Sequence, residues 1–143
     1  MEKEEFRTQK GYDIKNNKLL TLAMEDYLEM ICRHSKESGY IRISHLATLL
    51  NVKTSSASKM VVNLNKIGYV EYEKYGIVKP TQKGWEMGDY LLYRHNLLNR
   101  FFCYINQSEN ELEQIEQIEH YINYNTIKNI EKLLLKLEKK ETP

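Results

Sequence analysis

Several features that would point to specific chemistry are scarce or missing. Cysteine occurs only twice in the 143 residues, as Cys32 and Cys103, far apart and in no CxxC pair. That argues against a disulfide framework or a thiolate zinc site and makes a reducing cytoplasm the expected compartment. No excess of one charge sign exists: 21 basic and 20 acidic residues leave a net charge of +1, so the chain is not a wholesale polycation. No uncharged apolar stretch approaches the ~20 residues that cross a bilayer; Leu19 to Met24 is typical. The N-terminus lacks an apolar core behind a basic start, so no secretory leader is expected. There are no internal repeats, no glycine-rich phosphate loop and no nucleophile–base pair. What remains, with 41% hydrophobic and 29% charged residues, is a globular protein: one compact domain or two small lobes sharing a long helix.

The balanced total conceals a segregation. From Tyr40 to Gly84 there are seven basic residues (Arg42, Lys53, Lys59, Lys66, Lys74, Lys79, Lys83) against Glu71 and Glu73, a net of +5. Residues 1–39 carry seven basic and eight acidic groups, and residues 85–143 carry seven and ten. A basic middle between acidic flanks suggests an anionic partner for the middle alone, although ordinary surface variation produces the same pattern.

Residues 1–19 are polar and read as an N-terminal extension. From Leu20, the positions Leu20, Met24, Tyr27, Leu28 and Ile31 recur at helix spacing and predict a helix to about Ser38. Tyr40 to Ile43 is strand-like. Ser44 is the expected N-cap of a brief helix through Leu50, and Thr54 that of a second, which buries Ala57, Met60, Val61, Leu64 and Ile67. Tyr69 to Tyr75, Gly76 and Ile77 to Lys79 predict a β-hairpin. Helix, helix, tight turn, helix and hairpin form the order of a winged helix-turn-helix. Its second turn-flanking helix would enter a major groove while the hairpin touches phosphate. Thr81 is the expected cap of a long helix to about Asn106, with Met87, Leu91, Leu92, Leu98 and Phe102 as core positions. Ser108 to Glu111 forms an S-x-x-E capping box ahead of another helix. A last helix, from about Thr126 to Lys140, carries the stripe Ile127, Ile130, Leu134, Leu137.

The fold class expected is mainly α with a small β-hairpin. A winged-helix DNA-binding domain (20–84) is followed by a helical metal-binding and dimerisation domain (85–143).

One constellation could carry chemistry. Glu116, Glu119 and His120 stand at i, i+3 and i+4 and share a helix face. Taken alone, that helix reads rather as an acidic solvated face with an incidental histidine. Asp26 and Glu29 form a second i, i+3 pair, pointing away from the apolar stripe of their helix, and His95 follows Arg94 on the long helix. Should the three helices pack together, four carboxylates and two imidazoles make a hard, oxygen-rich set suited to Mn²⁺ or Fe²⁺. A di-iron oxidase uses similar residues, but its E-x-x-H spacing is absent, since Glu119 stands three residues after Glu116.

Met24-Glu25-Asp26-Tyr27-Leu28-Glu29, Ser55-Ser56-Ala57-Ser58-Lys59-Met60-Val61, Tyr72-Glu73-Lys74-Tyr75-Gly76, Tyr93-Arg94-His95 and Glu116-Gln117-Ile118-Glu119-His120 resemble the iron- and manganese-dependent repressors of the DtxR family. The likeness is closest to the manganese (MntR-type) branch. It implies a homodimeric, cytoplasmic repressor that binds palindromic double-stranded operator DNA when metal-loaded, with no membrane and no organic substrate involved. Asp26, Glu29, His95, Glu116, Glu119 and His120 match the branch's metal ligands, which implies two Mn²⁺ ions per chain, with Fe²⁺ as the alternative. Iron-type members place a methionine where Asp26 stands and a cysteine where Glu116 stands, so the two acids argue for manganese. The resemblance assigns DNA contact to Ser55, Ser56, Ser58, Lys59 and Lys74. The wing departs from the family in being one residue short where relatives often carry an arginine before the glycine.

Overall fold

A computed structural model of the chain describes residues 20–141. The extension at 1–19 lies outside the described residues. Helix α1 (Leu22–Ser35) starts where the Thr21 hydroxyl accepts the Met24 amide at 3.2 Å. It leads to strand β1 (Ile41–Arg42), α2 (Ile43–Leu50) and α3 (Thr54–Lys66). The wing is β2 (Val70–Glu73), a 3₁₀ turn (Lys74–Gly76) and β3 (Ile77–Pro80). Helices α4 (Gln82–Asn106), α5 (Leu112–Ile118) and α6 (Tyr124–Glu141) follow, with a 3₁₀ turn (Glu119–Tyr121) between the last two.

The sheet is antiparallel in the order β1-β3-β2. Ile41 pairs with Val78, and Val70 with Pro80, so the proline that cannot donate sits at the open base of the hairpin. The tip of the wing turns through two left-handed residues, Tyr75 (φ +64°) and Gly76 (φ +73°).

Three expected caps are not formed. β1 pairing holds Arg42 extended, so α2 begins at Ile43 and Ser44 already lies inside its first turn. Lys53, also extended, takes the cap position of α3, and Thr54 becomes the first helical residue. The Ser108 hydroxyl donates to the Glu111 side chain at 2.7 Å, while the Glu111 amide is taken by Asn99 Oδ1 at 3.1 Å. With both halves of the capping box otherwise engaged, α5 starts only at Leu112, whose amide Asn110 Oδ1 accepts at 2.8 Å. Thr81 caps α4 as expected, accepting the Gly84 amide at 3.1 Å and donating to the Gly68 carbonyl at 2.6 Å.

Apolar burial separates into two cores. The first joins Leu28 and Ile31 of α1, Leu46 of α2, Ala57, Val61 and Leu64 of α3, Val70 and Val78 of the wing, and Leu91 of α4. The second joins Leu97 and Leu98 of α4 with Ile115, Ile127 and Leu134. Met87, Leu92 and Phe102, expected in the core, are only partly buried. Helix α4 is common to both cores, and Arg94 and His95 lie on it between Leu91 and Leu97. Two glycines let α4 pack closely: a Cβ on Gly88 would lie 2.5 Å from Cys32 Sγ on α1, and one on Gly84 would clash with the Tyr69 carbonyl oxygen just before β2.

Candidate metal centre

The stretch between the two cores is where charged groups become buried. Glu29 of α1, His95 of α4 and Glu119 of the second 3₁₀ turn each present a donor atom, all within 4.8 Å of one another. His95 Nδ1 and Glu119 Oε2 are 2.8 Å apart, and Glu119 is only 2% exposed. These three residues, 29, 95 and 119 in the chain, meet because α1 and the 3₁₀ turn both pack on the middle of α4.

His120 forms a second, adjoining group. Its Nε2 donates to Asp26 Oδ1 at 3.0 Å and its Nδ1 to Glu25 Oε1 at 3.3 Å. Glu25 Oε2 in turn accepts from Arg94 at 3.3 Å. Glu116 is exposed on the last turn of α5 and stands apart from the triad. It lines, with Asp26, Glu29 and His95, an open cleft of about 270 Å³. The six candidates thus fall into a tight triad, a His120–Asp26 pair and one outlying carboxylate.

The reading of this segment as a wholly solvated acidic face is corrected: Glu119 and His120 are buried, and only Glu116 is exposed. The α-helix stops at Ile118, and the tighter winding that follows carries residues 119 and 120 against α4 and α1.

Sequence reasoning missed Glu25 and Arg94 as members of this network. A signal existed: Arg94 falls on the stripe Leu91, Arg94, Leu98, where only apolar residues are expected, and Glu25 stands three residues before the buried Leu28. Such placement marks a charge that must be paired inside.

Electrostatics follow from the burial. Desolvation raises the Glu29 pKa, and the neighbouring Glu119 raises it further, while Arg33 and His95 act in the opposite sense. Two carboxylates pressed together in a half-buried site are what a cation relieves, and the donor set of acids and imidazoles without thiolate fits a hard divalent ion.

His120 is held up at about 9, first by its bond to Asp26 and then by that to Glu25. A raised histidine pKa stabilises the fold fully below its unfolded value of ~6.5. That contribution is lost as pH rises through about 9. The metal-free protein is therefore expected to melt at progressively lower temperature from pH 7 to pH 9.5, a trend that His120→Gln abolishes. A flat profile in the parent protein would show that His120 is not charged in the fold.

On the other lobe, Ser55, Ser56 and Lys59 are exposed on α3, and Lys74 is exposed in the wing turn. Ser58 is half-buried, its hydroxyl 3.1 Å from Tyr72 Oη on β2.

Residues 19–78 match the family described as iron dependent repressor, N-terminal DNA binding domain, and residues 81–142 match its metal binding and dimerisation domain. The chain belongs to the iron-dependent repressor family. It is a metal-responsive transcriptional repressor, not an enzyme. Among the relatives of this repressor is the HTH-type transcriptional regulator MntR of Geobacillus kaustophilus (strain HTA426), 43% identical over 111 residues, 77% of this chain and 79% of the relative. The regulator of the same name from Bacillus subtilis (strain 168) is 42% identical over 113 residues, 78% of this chain and 80% of its own. The solved structure of the manganese regulator SloR superposes with a TM-score of 0.67 at 25% identity, covering 78% of this repressor and 53% of that chain. The metal-dependent transcriptional regulator MtsR shares the fold, with a TM-score of 0.69 at 23% identity over 80% of this repressor. The repressor spans about half the length of these two structures. No helix among the described residues is long and apolar enough to cross a membrane.

Proposed function

We propose that this repressor senses Mn²⁺ in the cytoplasm through Asp26, Glu29, His95, Glu116, Glu119 and His120, which hold two ions per chain. The observation that carries the reading is the convergence of Glu29, His95 and Glu119 from three separate elements onto one point. Acidic groups at Asp26 and Glu116, where the iron-type members that the chain resembles carry methionine and cysteine, give a hard set without thiolate and favour Mn²⁺ over Fe²⁺. A bound ion supplies positive charge where Glu29 and Glu119 repel one another.

Ligands borne by both lobes link the metal to DNA binding. Residues 20–84 form the DNA-binding lobe, and residues 85–143 the helical lobe that joins two copies. An ion that binds better when α1 is drawn against α4 and the 3₁₀ turn favours one placement of the two α3 helices in the homodimer. In that placement Ser55, Ser56, Ser58 and Lys59 face successive major grooves of a palindromic operator, Ser58 from beside Tyr72, and Lys74 on the wing meets phosphate. Genes for manganese uptake are the targets that the resemblance to the manganese branch implies.

Equilibrium metal binding tests the site directly. Titration of the metal-free protein with Mn²⁺, followed by electron paramagnetic resonance of the free ion, is expected to saturate at two ions per chain. In parallel anaerobic assays, Mn²⁺ is expected to support operator binding better than Fe²⁺ does. Saturation at one ion, or stronger operator binding with Fe²⁺, would contradict the corresponding part of the proposal.

A further inference from the structure

We propose that Arg33 is a built-in competitor for the metal, holding the Glu29 carboxylate in the metal-free protein and thereby setting the ion concentration at which the repressor responds. The proposal rests on the metal-site reading above. Arg33 stands one turn after Glu29 on α1, and its Nη2 donates to Glu29 Oε1 at 2.9 Å. Two other ion pairs, Lys79–Glu73 and Arg100–Glu138, join side chains that are all more than two-fifths exposed. In this one the arginine is 49% exposed, but the carboxylate it holds is only 13% exposed and belongs to the triad. Arg33 also lines the cleft with Asp26, Glu29, His95 and Glu116.

Two consequences of opposite sign follow. Without an ion, the guanidinium offsets the repulsion that Glu119 and Asp26 exert on the Glu29 carboxylate, and so steadies the approach of α1 to α4. With an ion, the same guanidinium is a like charge beside it and occupies an oxygen of a ligand. Arginine does not deprotonate in this setting, so pH gives no relief and the side chain must turn away. Its half-exposed position leaves that path open, and Asp89 lines the adjoining groove with Arg33 and Glu29 as an alternative partner. A residue with a merely structural role would, on removal, weaken the fold and the metal site together. Removing Arg33 is expected to weaken the first and strengthen the second.

The test compares the full chain with Arg33→Gln and Arg33→Lys, measuring Mn²⁺ affinity by competition with a fluorescent chelator and melting temperature without metal. Arg33→Gln is expected to bind Mn²⁺ about two- to fivefold more tightly, the effect of losing one partly exposed ion pair. The gain should shrink at high salt, and the metal-free variant should melt below the parent. Arg33→Lys keeps the charge and is expected to stay near the parent in both measurements. Affinity in Arg33→Gln equal to or weaker than the parent would overturn the proposal. Failure of the parent itself to bind Mn²⁺ would instead remove the metal-site reading on which the proposal stands.

Discussion

Replacing His95 with alanine is expected to raise the Mn²⁺ concentration needed for half-maximal operator binding by at least ~100-fold, the upper end of what loss of an outer-shell partner costs a metal site. The imidazole stands 2.8 Å from Glu119 and within 4.8 Å of the Glu29 donor, at the middle of the helix that belongs to both cores. Its removal takes away a nitrogen donor and leaves the buried Glu119 without its imidazole partner. Alanine suits a helix interior, so the fold of α4 is preserved. Fluorescence anisotropy of labelled operator across a Mn²⁺ titration, with the metal-free melting temperature as a control for folding, reads the effect. An unchanged Mn²⁺ requirement would take His95 out of the ligand set.

Gly84→Ala is expected to lower stability by about 3 kcal/mol, through overpacking against backbone that cannot retreat like a side chain. The added Cβ would meet the Tyr69 carbonyl oxygen at 2.0 Å, a distance no carbon tolerates. Relief requires the first turn of α4 to leave the segment entering β2, which breaks the Thr81 bonds that tie Gly68 to the start of the helix. The melting temperature should fall by roughly 10 °C for a chain of this size. Gly39→Ala is the control. Unlike helical Gly84, it has a left-handed backbone conformation, φ +86°, but an added Cβ there meets nothing within 4 Å. Its cost should therefore be limited to about 1 kcal/mol for the left-handed geometry. Equal losses in the two variants would show that steric approach at Gly84 is not the cause.

Much of this architecture is legible in the amino-acid sequence. Helix periodicity locates α1, α3, α4 and α6, and the tyrosine- and valine-rich stretch around Gly76 locates the wing, because these signals are local. Local signals fail where the outcome depends on a partner distant in the chain. Ser44, Thr54 and Ser108 are good capping residues by type, yet a cap also requires extended backbone at that residue. The pairing of β1 with β3 places that conformation at Arg42 instead of Ser44, and Asn99, on another helix, disarms the box at Ser108.

The candidate site divides in the same way. Residue types and spacings put Glu116, Glu119 and His120 on one face. The burial of Glu119 and His120, with Glu116 left outside, follows from where α5 ends, which no spacing specifies. Arg94 and Glu25 are hidden for a related reason: a helix wheel shows a charge on an apolar stripe but not the opposite charge 69 residues away that compensates its burial.

Selection of DNA by the purified protein, run in parallel with Mn²⁺ and with a chelator, tests the coupling of metal to DNA most directly. The account predicts recovery of a palindromic site in Mn²⁺ only, since the ion supplies the differential affinity that orients the two α3 helices. Equal recovery in chelator would leave the winged helix as a DNA-binding unit and contradict the sensor.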